Sequence, residues 1–131
     1  MLRKYLDHTT YAVLTDADVL VHNFDAKLEQ YVDDDHDVWL MDGFEQSTAV
    51  WIVRNSEYGR RFVDKLLGTF ELNDDDQCGF GNLLVTMLRR EKEGKDPLPP
   101  DLAPAMPCGN QNRLIARINT VRKCLEDELK R

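Results

Sequence analysis

Apolar positions along the chain follow two spacings. Leu2, Tyr5 and Leu6 recur at helical steps and predict the end of a helix. Tyr11–Thr15 (YAVLT) is apolar and β-favouring, and Val19–Val21 repeats that character. Together they read as one buried strand broken at Asp16-Ala17-Asp18. Asp25 is placed to cap a short helix carrying Leu28, Tyr31 and Val32. Asp37–Met41 (DVWLM) predicts a second strand, and Gly43 with the polar stretch Glu45–Thr48 a turn. Ala49–Arg54 (AVWIVR) predicts a third strand, whose nearly unbroken apolar character calls for cover on both faces of its sheet.

Beyond Arg54 the spacing becomes helical. Ser56 is positioned to cap a helix with Tyr58, Phe62, Val63, Leu66 and Leu67 on one stripe, and Gly68 is expected to end it. Asp75 or Asp76 is expected to cap the next helix, which turns Phe80, Leu83, Leu84, Met87 and Leu88 inward. Both stripes read as core. The pattern breaks at Glu91: residues 91–111 hold all five prolines and no periodic apolar face, the signature of a long irregular loop. Leu114, Ile115, Ile118, Val121, Leu125 and Leu129 then mark an amphipathic helix over residues 112–131.

Composition narrows the function classes. The 131 residues, 42% of them hydrophobic, suffice for one core and one domain. Seventeen Lys and Arg against 24 Asp and Glu leave a net charge of −7. Such a balance argues against a nucleic-acid binder, which needs cations to displace phosphate counterions, and against a polybasic membrane surface. No apolar run approaches the roughly 18–20 residues of a membrane span, and no signal peptide opens the sequence. Three widely spaced cysteines, Cys78, Cys108 and Cys124, exclude a zinc ribbon and a dense disulfide framework.

The carboxylates are clustered, at Asp16/Asp18, at Asp33–Asp37 and at Asp74–Asp76. Acidic clusters are commonly solvated loops or helix starts, and Asp33–Asp37 reads that way. Asp16-Ala17-Asp18 has a chemical reading. Residues i and i+2 of a strand share a face, about 6.6 Å apart, so two carboxylates at a bending strand end can reach one hard cation. Mg²⁺ or Mn²⁺ suits such ligands, with waters and substrate phosphates completing its shell. Charges inside a run that reads as buried also call for a partner.

Three segments in order, LTDADVLVHN, WIVRNSEYGRRFVDKLL and NDDDQCGFGNLL, resemble motifs of a glycosyltransferase family with the GT-A fold. The nearest set is the galactosyl/mannosyl/xylosyl transferases of fungal mannan and plant xyloglucan synthesis. The resemblance covers about residues 1–90. It implies an α/β chain with a partial GT-A (nucleotide-diphospho-sugar transferase) fold, a mixed sheet and flanking helices. On that reading residues 1–90 are a partial catalytic core, 91–111 a Pro-rich loop and 112–131 a terminal helix. The implied activity is metal-dependent transfer of a hexose or pentose from a nucleotide sugar to a glycan or glycoprotein acceptor.

The implied roles follow the matching residues. Asp16, Ala17 and Asp18 bind the donor, and Asp16 and Asp18 hold Mn²⁺ or Mg²⁺, with Asp16 nearer the ribose and diphosphate. Asp75, Asp76 and Gln77 match the acidic step beside the donor sugar and acceptor and stand as the catalytic candidates. Asp42-Gly43 and the stretch before Trp51 line the sugar and acceptor side. Arg54-Asn55-Ser56 reads as a strand end followed by a cap.

Two departures qualify the match. Relatives of this fold take a further metal ligand, commonly a histidine, well after the acidic step, whereas His8, His22 and His36 all precede it. Cys108-Gly109-Asn110 stands roughly where that histidine is expected. The family also places base-binding strands upstream of its DxD, and here fifteen residues precede Asp16. The expectation is a piece lacking the N-terminal half, with exposed apolar surface and self-association where that half would pack. A catalytically inactive remnant serving as a binding or structural domain is the alternative. A phosphohydrolase using an aspartate nucleophile ranks third, because no Ser/Thr step follows the DxD. The resemblance implies a Golgi or ER lumen, though the sequence carries no anchor and no Asn-x-Ser/Thr acceptor.

Overall fold

The computed structural model describes residues 2–40, 49–73, 76–108 and 123–130. Helix α1 (Leu2–Leu6) leads into strand β1 (Tyr11–Thr15), and β2 (Val38–Leu40) and β3 (Val50–Arg54) complete a three-stranded sheet in the order β1-β3-β2. Both pairings are antiparallel, with Leu14 opposite Trp51 and Val38 opposite Val53. The described chain is therefore mixed helix and strand, but its sheet is antiparallel throughout rather than mixed. Helices α2 (Glu57–Asn73) and α3 (Asp76–Lys92) follow, and residues 123–129 are helical.

Strand alternation explains the core. Ala12 and Leu14, Trp51 and Val53, and Val38 share the face that meets the helices. There Trp51, Phe62 and Phe80 form a triangle of edge-on or tilted rings with centroids 6.1–6.5 Å apart. On the other face Ile52 is also buried, beside Tyr11, Val13, Leu28 and Val32, so β3 is covered on both sides as its run of apolar residues requires. Arg54 closes that face, its guanidinium 5.7 Å from the ring centroids of both Tyr11 and Trp39.

Ser56 caps α2, its Oγ accepting the Gly59 N–H at 2.9 Å. Helix α2 runs through Gly68 to Asn73, because Thr69 is still buried and Phe70 still packs on the core beyond the point where the sequence predicts a stop. Gly68 instead admits the irregular segment: a Cβ there would stand 3.1 Å from Pro104. The stop comes at the end of α3. Gly94 takes φ +68°, the Lys95 N–H bonds the Arg90 carbonyl and the Gly94 N–H bonds the Glu91 carbonyl, both at 2.9 Å.

The Pro-rich segment is irregular but docked. Leu98 is completely buried, Leu102 packs on the same core, and Lys65 Nζ donates to the Pro100 carbonyl at 2.6 Å. Its far end is held by a Cys108–Cys124 disulfide. The C-terminal helix is held to α3 by buried Glu128, which pairs with Arg89 at 2.8 Å and Lys92 at 3.4 Å.

Candidate functional site

The DxD lies on a turn rather than within a strand. The Asp16 N–H still donates to the Ala49 carbonyl at 2.8 Å, extending the β1–β3 ladder by one bond. The chain then folds back, and the Val19 N–H donates to the Asp16 carbonyl at 3.3 Å, closing a four-residue turn over Asp16-Ala17-Asp18-Val19. Val19–Val21 forms no second strand piece. Leu20 is 89% and Val21 64% exposed, since no strand lies beside them among the described residues. The expectation that burial forces the two carboxylates to find a partner is corrected accordingly. Asp16, Ala17 and Asp18 are all exposed, and among the described residues neither carboxylate makes an ion pair. Two solvent-facing carboxylates on one tight turn fit a divalent cation that keeps waters and takes its remaining ligands from a phosphate.

The start of α3 lies at the same end of the molecule. Gly59, near the start of α2, sits against Arg54 and Val53, and Phe62 sits against Trp51, so α2 runs back along β3 toward its beginning. Helix α3 opens at Asp76, and Phe80, one turn later, reaches Trp51. Trp51 is opposite Leu14, two residues before Asp16. Both Asp16 and the start of α3 therefore stand at the Val50 end of the sheet. Gln77 is half-buried there. Asp75, Asp42-Gly43, the predicted turn at 45–48, and Gly109 and Asn110 lie outside the described residues.

Asp33–Asp37 is an ordered loop as well as a solvated one. Asp33 Oδ1 accepts the backbone N–H groups of Asp35 and His36, both at 2.9 Å, and His36 Nδ1 stands 2.8 Å from it. The His36 hydrogen bond is the main cause holding the Asp33 carboxyl below its usual range. Arg54 donates to the Asp33 and Asp34 carbonyls, so the residue that covers the sheet also anchors this loop. The short helix predicted after Asp25 is a 3₁₀ turn, Leu28–Tyr31, preceded by Lys27 with no side-chain cap. Asp25 instead donates its N–H to Asn23 Oδ1. Leu28 and Tyr31 are more than half exposed.

Arg54-Asn55-Ser56 is structural. Asn55 donates to the Thr9 carbonyl at 2.9 Å and accepts from Arg60 at 2.8 Å, tying α2 to the segment before β1. Among the described residues no three His, Cys, Asp or Glu side chains converge as a metal cluster. Sequence reasoning did not anticipate the Cys108–Cys124 pair. The signal available was one cysteine at each end of residues 109–123, with the third, Cys78, buried near the start of α3.

Comparison with protein-family models, curated proteins and solved structures finds no match to this chain. Among the described residues no helix is long and apolar enough to cross a membrane.

Proposed function

We propose that this chain carries the donor-binding end of a GT-A-type glycosyltransferase, transferring a hexose or pentose from a nucleotide sugar to a glycan or glycoprotein. The observation that carries the proposal is the exposed Asp16–Asp18 turn at the sheet end where α3 begins. In this reading Asp16 and Asp18 hold Mn²⁺ or Mg²⁺, and Ala17 keeps the turn small enough for a diphosphate to approach its backbone. The bound cation supplies charge neutralisation of the departing nucleoside diphosphate. Asp75, Asp76 and Gln77 orient the sugar and the acceptor hydroxyl by hydrogen bonding.

The Cys108–Cys124 disulfide supports an oxidising compartment, as the Golgi or ER lumen is. A second reading, a binding domain without catalysis, is favoured by the exposed Leu20, Val21 and Phe24 directly after the turn, since an apolar run so close to the DxD suits a partner surface.

Titration calorimetry with Mn²⁺ and a panel of uridine- and guanosine-diphospho sugars separates the two. Catalytic ancestry predicts binding that requires the metal and weakens at least tenfold in Asp18→Asn. No heat at millimolar ligand leaves the binding-domain reading.

A further inference from the structure

Strand β2 is an edge of the sheet, and its backbone has a defined outward side. The Arg54 N–H donates to the Asp37 carbonyl at 2.8 Å, and the register places Asp37 opposite Arg54 and Trp39 opposite Ile52. In an antiparallel ladder hydrogen-bonded pairs alternate with non-bonded ones. Asp37 and Trp39 therefore turn their amides and carbonyls toward β3, and Val38 and Leu40 turn theirs outward. Among the described residues no other strand meets that side.

The side chains of the same two residues line a cleft of about 380 Å³ on the helix-facing side of the sheet. Tyr58 and Phe62 of α2 and Leu84 and Met87 of α3 form its other walls, so the cleft is apolar in depth. Its volume falls within the roughly 300–1,000 Å³ of ligand sites. The rim is acidic. Asp35 and Asp37 border it with His36, whose Nδ1 stands 2.8 Å from Asp33. The Arg54 guanidinium is held by the Asp33 and Asp34 carbonyls, and Arg61 stands 5.8 Å from the Tyr58 ring centroid and 3.7 Å from Asp96. The Tyr58 hydroxyl is pushed above its ordinary range, first by burial, then by Asp96, Asp37 and Glu91 against the opposing effect of Arg61.

We propose that the β2 edge and this cleft receive an extended basic peptide segment, added as a fourth strand. Its backbone pairs with the outward amides and carbonyls of Val38 and Leu40. Alternate apolar side chains enter the cleft, and the flanking lysines or arginines meet Asp35 and Asp37. Charge selects this occupant over a second copy. Pairing two β2 edges would bring two Asp33–Asp37 runs together in chains that each carry −7. The site lies on the β2 edge, across β3 from β1 and its Asp16–Asp18 turn, and does not depend on the glycosyltransferase reading.

The test uses a blocked six-residue peptide alternating lysine with valine or leucine, and a counterpart with glutamate in place of lysine. Backbone hydrogen exchange and titration by NMR are the readouts. The lysine peptide is expected to slow exchange at Val38 and Leu40 at least tenfold and to bind at least ten times more tightly than the glutamate peptide. Asp35→Asn combined with Asp37→Asn is expected to narrow that preference at least threefold. Equal binding of the two peptides would overturn the proposal, as would no binding at millimolar peptide. Val38 and Leu40 amides already protected in the free chain, or protection that rises with protein concentration alone, would also overturn it.

Discussion

Asn82 is fully buried in the middle of α3, and its Oδ1 accepts the backbone N–H of Cys108 at 3.2 Å. The same side chain donates through Nδ2 to the Cys78 carbonyl at 3.0 Å, within its own helix. A buried amide so placed joins the end of the Pro-rich segment to the helical core through a backbone group that side-chain changes in the loop leave intact. Replacing Asn82 with Leu keeps the volume but strands the Cys108 N–H. The expected cost is about 1–3 kcal/mol for an unsatisfied buried donor, read as a lowered midpoint in urea unfolding.

The disulfide acts on the same junction from the other side. Cys108 and Cys124 are 16 positions apart, and a loop of that length restricts the unfolded chain by about 3 kcal/mol. Reduction, or Cys108→Ser with Cys124→Ser, is expected to lower unfolding stability by about that amount. The Trp51–Phe62–Phe80 packing, read by near-ultraviolet circular dichroism under native conditions, is expected to persist. A loss of the aromatic signal together with the disulfide would mean the two regions fold as one unit.

Gly59 sets how closely α2 approaches the sheet. A Cβ at this position would overlap the Arg54 carbonyl oxygen and stand 3.0 Å from the Val53 side chain. Gly59→Ala therefore forces the start of α2 off β3, although alanine is the better helix former. Overpacking of this kind costs about 1–3 kcal/mol. Thermal unfolding is expected to place this variant well below the protein with Glu57→Ala, a change on the exposed side of the same turn.

Much of this architecture is legible in the sequence wherever the apolar spacing runs unbroken through an element. YAVLT and AVWIVR give β1 and β3 nearly to the residue, Ser56 marks the start of α2, and the stripe through Phe80 and Leu83 faces the core. Val19–Val21 is as apolar as β1, yet it forms no strand, because a strand needs a neighbour and periodicity does not supply one. Gly68 looks like a stop because glycine is the common residue beyond a helix end. Tertiary packing of Thr69 and Phe70 overrides that preference. The proline-rich stretch has no periodic face, so its buried Leu98 and Cys108 leave no pattern to read. For the candidate site, the DxD and the acidic step are visible as residue types. The placement of the Asp16–Asp18 turn and the start of α3 at one sheet end follows only from the β1–β3 register and the direction of α2.

The loop over Asp33–Asp37 has a sign-definite response to acid. Hydrogen bonding to His36 lowers the Asp33 pKa in the folded chain below its unfolded value of about 3.9. A depressed carboxyl contributes fully above the unfolded value and loses its contribution as pH falls through the folded one. Below about pH 5 the Asp35 and His36 amide shifts are therefore expected to hold to about 4 and then to move together. In Asp33→Ala these amides are expected to lose that joint transition and the loop order with it.

Substoichiometric Mn²⁺ followed by NMR line broadening tests most directly whether Asp16 and Asp18 hold a cation. With a nucleoside diphosphate present, the predicted result is selective loss of the Asp16–Val19 amide signals and of Gln77, at the same sheet end. Asp18→Asn is expected to restore them. Broadening centred on Asp33–Asp37 instead, or broadening unchanged by Asp18→Asn, would contradict the account.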